Sequence, residues 1–102
     1  MTSTLRLTFA AILLPVIVGM AQAGPIERAC LSSDRAAGNR SLCGCIQQVA
    51  DQTLGNGDQR KAAKFFRDPD LAHAVWISQS SRDDEFWDRY KAFGATAAAS
   101  CG

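Results

Sequence analysis

The residues of this chain best placed to do chemistry are its four cysteines, Cys30, Cys43, Cys45 and Cys101. Such thiols can oxidise to disulfides, hold a soft metal such as Cu(I), or act as a redox dithiol at the Cys43-Gly44-Cys45 pair. Metal binding calls for further soft or imidazole ligands. The chain has a single histidine, His73, and its two methionines, Met1 and Met20, both lie within residues 1–23, ahead of the cysteines. An even cysteine count downstream of an export signal points instead to two structural disulfides. Residues two apart on an ideal helix point about 200° apart, so Cys43 and Cys45 reach two different segments rather than each other. An antiparallel hairpin centred on Ala37/Gly38 puts Cys30 level with Cys45 and leaves Cys43 for Cys101. Four cysteines allow three connectivities, and spacing alone does not choose among them.

Three other groups of residues have chemical potential. His73 sits on the flank of a helix with no serine or thiol identifiable as its nucleophilic partner. Asp84, Trp87 and Asp88 mix acid with an aromatic ring, a set that can hold a guanidinium through bidentate bonds and stacking. The same acids also suit a helix N-terminus, where the backbone dipole favours negative charge. Trp76 and Ile77 point away from the Leu71/Val75 stripe of their helix, which makes that helix apolar nearly all round. Either it is buried on two sides or it presents an apolar docking surface. No set of groups assembles an acid, a base and a binding pocket, so the chain reads as non-enzymatic and without a cofactor.

The elements that position these residues all read as helix. Pro25 suits a first helical position, with Ile26, Cys30 and Leu31 on one face. A break at Ala36-Ala37-Gly38-Asn39 precedes a second helix from about Arg40 to Leu54, with Leu42, Ile46, Val49 and Thr53 as its apolar stripe. Gly55-Asn56-Gly57 stops that helix, and Asp58 is the expected cap of a third bearing Ala62, Phe65 and Phe66. Asp68 caps a fourth, about Pro69 to Gln79, with Leu71, Ala74, Val75 and Ser78 together. A serine at 80 or 81 caps the last, whose Phe86, Tyr90, Phe93, Ala97 and Cys101 form one stripe. The fold class expected is all-α, a small compact bundle of four to five short helices stapled by two disulfides.

Residues 1–23 read as a cleaved signal peptide. Arg6 supplies the positive region, an apolar stretch runs from Leu7 to Met20, and Ala21-Gln22-Ala23 is the small-x-small cleavage pattern. The apolar stretch is about 14 residues, short of the roughly 20 that span a bilayer. Residues 24–102 then form a single domain, periplasmic or secreted. The chain holds 11 Lys and Arg against 10 Asp and Glu, and loss of Arg6 makes the two balance. A neutral domain with mixed signs lacks the field that draws nucleic acid, and once the signal is cleaved no segment inserts into a membrane. In a domain this small a single core supplies only about 3–5 kcal/mol, so staples are needed.

The segments Gly24-Pro-Ile-Glu-Arg-Ala-Cys30-Leu31, Leu42-Cys-Gly-Cys-Ile-Gln-Gln-Val-Ala-Asp51, Asp58-Gln-Arg-Lys-Ala-Ala-Lys-Phe-Phe-Arg-Asp-Pro69 and Phe86-Trp-Asp-Arg-Tyr-Lys-Ala-Phe-Gly94, with Cys101 after them, resemble a group of small exported alphaproteobacterial proteins often labelled "arginine transporter". The resemblance covers most of residues 24–102 and brings no catalytic or binding residue with it. It implies an exported accessory to a transport system, with arginine as a possible small-molecule ligand. The residues themselves point first to a periplasmic protein partner, then to solute binding, then to a thiol or metal carrier using Cys43 and Cys45. N-terminal sequencing of the exported protein is expected to begin at Gly24. A start at Met1 or Thr2 would overturn the cleaved signal.

Overall fold

The computed structural model describes residues 10–12, 23–36 and 38–102. Most of the expected signal peptide, and Ala37 of the expected hairpin turn, lie outside the described residues. Five helices follow in order: α1 (Pro25–Leu31), α2 (Arg40–Thr53), α3 (Asn56–Arg67), α4 (Pro69–Ile77) and α5 (Ser81–Cys101). No strand occurs among the described residues. The protein is an all-α bundle stapled by two disulfides, Cys30–Cys43 and Cys45–Cys101.

Helix starts follow local chemistry in most cases. Pro25 opens α1, where its missing N–H costs nothing. Asn39, Asp68 and Ser80 cap α2, α4 and α5, their side chains accepting from the backbone N–H groups of Leu42, Asp70 and Asp83. The exception is α3. Asp58 was the expected cap, but the helix begins at Asn56 with Gly55 as the capping residue. Asp58 therefore lies in the first turn, and its carboxylate accepts from Arg89 Nε of α5 at 2.6 Å. α2 and α4 also end earlier than expected, at Thr53 and Ile77.

The core joins α1, α2, α3 and α5. Ile26 and Ala29 meet Val49, Ala50 and Leu54, and beyond them Ala62, Ala63, Phe65, Phe86 and Phe93. Phe65 sets its edge toward Phe86 at 5.8 Å and toward Tyr90 at 5.2 Å between ring centroids, the geometry that aromatic quadrupoles favour. Tyr90, Ala97 and Cys101 continue the α5 stripe as expected, partly buried against this cluster. Lys61 closes the α3–α5 seam. Its ammonium lies 4.4 Å above the Phe86 ring and 2.9 Å from Asp83, and that bond holds the Asp83 carboxyl below its usual pKa.

The buried face of α2 is not the expected stripe. Cys43, Gln47, Val49 and Ala50 are buried, while Leu42, Ile46 and Thr53 are only partly so. The helix is rotated by about one residue, because Cys43 is drawn to α1 and the small Ala50 allows close approach. Gln47 thus enters the interior, and its polar atoms are all engaged. Its Oε1 accepts from the Glu27 amide at 2.9 Å. Its Nε2 donates to Asp51 Oδ1 and to Gln59 Oε1, both at 2.8 Å. Gln59 in turn donates to Asp51 Oδ1 and to the Leu54 carbonyl, each at 3.2 Å. Because Gly24 offers no side chain to cap α1, Gln47 supplies the missing acceptor from another helix. A methyl group on Gly24 would run into the Gln47 carboxamide, which would have to shift from its bond to the Glu27 amide.

Replacing Gln47 with Leu strands the Glu27 amide and the Gln59 carbonyl without partners. Urea denaturation of Gln47→Leu is expected to show a loss of about 1–3 kcal/mol at unchanged m-value. An unaltered midpoint would mean that the network contributes nothing.

Candidate functional site

The cysteines are divided between two environments. Cys30 and Cys43 are wholly buried, and their Cα atoms are 5.6 Å apart. Cys45 and Cys101 are partly exposed, with Cα atoms 5.8 Å apart. The expected divergence of Cys43 and Cys45 to two segments on opposite sides of α2 holds, but the expected pairing does not. Matching Cys30 with Cys45 assumes that both arms of the hairpin advance equally toward the turn. Instead α1 ends at Leu31, and residues 32–36 form tight turns in which the Ser33 amide bonds back to the Cys30 carbonyl. That arm advances less than a helix would, so Cys30 comes level with the nearer Cys43. Cys45 is left for the end of α5. There are no free cysteines among the described residues, and Cys43 and Cys45 are committed to different bridges.

Helix α4 is where the molecule is apolar and wet at once. None of its nine residues is buried. Ala72 and Val75 rest on the core in part, while Leu71, Trp76 and Ile77 are 41%, 59% and 61% exposed. The expected inward face of Leu71, Ala74, Val75 and Ser78 is thus corrected. Leu71 and Ala74 are exposed, because α4 packs mainly against α3 and α5 and turns Ala72 and Val75, not Leu71 and Ala74, toward the core. Of the two alternatives for Trp76 and Ile77, the structure selects the exposed one. The His73 ring lies 5.6 Å from that of Trp76, edge to face, and extends the aromatic surface.

The third candidate set lies along the first turns of α5. Asp84 and Asp88 are exposed on one face, but Trp87 is half-buried with its ring 5.3 Å from Tyr90. The Asp88 carboxylate is 3.6 Å from Lys91, one turn on. Trp87 is engaged in packing and Asp88 already has a cation, so the three residues share an edge without forming an enclosed site. Among the described residues no three His, Cys, Asp or Glu side chains are grouped to hold a metal ion, and no helix is long and apolar enough to cross a membrane.

The sequence reading missed the buried Gln47–Gln59 pair. The signal for it was the spacing of Gln47 four residues after Cys43 and three before Ala50, which places an amide in the phase of two small buried residues.

The difference in exposure orders the two bridges. Titration with limiting phosphine, followed by alkylation and peptide mapping, is expected to release Cys45 and Cys101 before Cys30 and Cys43. On loop length, removing Cys45–Cys101, 56 residues apart, costs about 4 kcal/mol, and removing Cys30–Cys43, 13 apart, costs about 3. Earlier release of the Cys30–Cys43 pair would contradict the buried assignment.

Comparison with protein-family models, curated proteins and solved structures gives no match.

Proposed function

We propose that this chain is an exported, non-enzymatic helical module that binds a partner protein in the periplasm through the outer surface of α4. The observation that carries the reading is the exposure of Trp76 and Ile77, beside Leu71, on a helix with no buried residue. Tryptophan is the residue most over-represented among binding hot spots, since it brings a large rigid area at little entropic cost. An apolar helix held in water lowers stability and solubility unless something covers it. Two formed disulfides agree with work in an oxidising compartment outside the cytosol. They hold α5, against which α4 packs, so the surface is presented on a stiff support.

The test combines stability with cross-linking in the producing cell. Trp76→Glu with Ile77→Lys is expected to shift stability by no more than about 1 kcal/mol, since neither residue is in the core. A photo-reactive residue at position 73, beside the patch, is expected to give one discrete protein adduct that the double substitution abolishes. Unfolding of the double variant would place Trp76 in the interior, and an adduct indifferent to the substitutions would remove α4 as the contact surface.

A further inference from the structure

A groove of about 520 Å³ opens on the side of the bundle where the α1–α2 loop faces α3 and the start of α4. Its volume falls within the roughly 300–1,000 Å³ usual for small-molecule sites. Leu42 and Ile46 of α2, Phe66 of α3, Ala72 of α4 and Tyr90 of α5 supply an apolar wall and floor. All five are partly buried, so they keep apolar surface open to the groove. The rotation of α2 is what leaves Leu42 and Ile46 there. Cys43 turns toward α1, and the expected α2 stripe becomes one wall of a cleft.

The rim is charged, and the charge is lopsided. Arg35 from the loop and Arg67 at the end of α3 border the groove with a single carboxylate, Asp34. Both arginines are exposed. The ion pairs among the described residues are Lys61–Asp83, Arg89–Asp58 and Lys91–Asp88, and neither rim arginine belongs to one. Tyr90 adds a phenol at the floor. Burial raises its pKa, so it remains a protonated donor at neutral pH. An apolar cleft edged by two guanidiniums and one phenol complements a molecule with an apolar tail and one anionic head. Guanidinium forks match a carboxylate in particular, through paired N–H···O bonds. A cationic amino acid is disfavoured at the same rim, because two arginines outweigh one aspartate.

We propose that this groove is a binding site for an apolar monocarboxylate of the fatty-acid type, its tail lying along Leu42, Ile46, Phe66 and Ala72 and its carboxylate held between Arg35 and Arg67. The site is separate from the outer surface of α4 and does not depend on it.

Isothermal titration of the exported, disulfide-bonded protein with decanoate tests this, with decanol and decyltrimethylammonium as probes of the head group. Decanoate is expected to bind one to one and saturably, decanol at least about tenfold more weakly, and the cation not at all. Arg35→Gln and Arg67→Gln are each expected to weaken decanoate roughly three- to tenfold while leaving decanol unchanged, the loss of one charge-assisted bond apiece. Ala72→Phe is expected to fill the cleft and abolish binding, with its fold checked by circular dichroism. Trp76→Glu is expected to leave binding intact, which separates this site from the protein-contact surface. Equal affinity for decanoate and decanol, indifference to both arginine substitutions, or no saturable binding would each overturn the proposal.

Discussion

Side chains two positions apart on a helix diverge by about 200°, and the architecture of this protein depends on that divergence at one point. From α2, Cys43 turns inward to Cys30 near the end of α1, while Cys45 turns the other way to Cys101, the last residue of α5. One short stretch of one helix therefore clamps the first and last elements of the bundle. Helix ends fray because their final carbonyls lack partners. The outer bridge suppresses this at the end of α5, whose last turn would otherwise have little to hold it. The inner bridge takes α2 out of its expected rotation and sends Gln47 into the interior, where it caps α1 and joins Gln59 of α3.

The same clamp decides which surfaces remain open. With α2 and α3 both packed on α1 and α5 packed on α2, a domain of this size has too little interior to enclose a fifth element. Helix α4 is joined to its neighbours by the short connections at Asp68 and at residues 78–80, and it packs mainly against α3 and α5. Its apolar residues therefore collect on the outside. Where the α1–α2 loop turns tightly away from the α1 axis, a cleft is left between α2, α3 and α4, walled by residues that the rotation of α2 displaced from the core. The exposed helix and the cleft have one origin, because both lie where the stapled core runs out.

Much of the fold was legible in the residues alone. Pro25, Asp68 and Ser80 are local signals acting on the nearest backbone, and the last two cap the helices that follow them, whereas Asn39 reads only as part of a break and proves to cap α2. The α5 stripe was legible because Phe86, Tyr90, Phe93, Ala97 and Cys101 recur at a period that only one helical face satisfies. The start of α3 was not, because Asp58 has two possible partners, its own helix N-terminus or Arg89, and Arg89 is 31 residues away in sequence. The direction of Trp76 relative to its own helix was readable, but whether anything lay beyond it was not.

What the sequence by itself determined was the set of relations internal to a single helix. These are where most of the helices start, which residues share a face, and that Cys43 and Cys45 must diverge, all consequences of backbone geometry over a few residues. The tertiary structure decided which cysteine met which, which side of α4 stayed wet, and that a glutamine rather than a leucine filled the centre of α2. Each depends on how far neighbouring axes advance and how closely they approach. Those distances are set by packing among segments far apart in the chain, and no local periodicity encodes them.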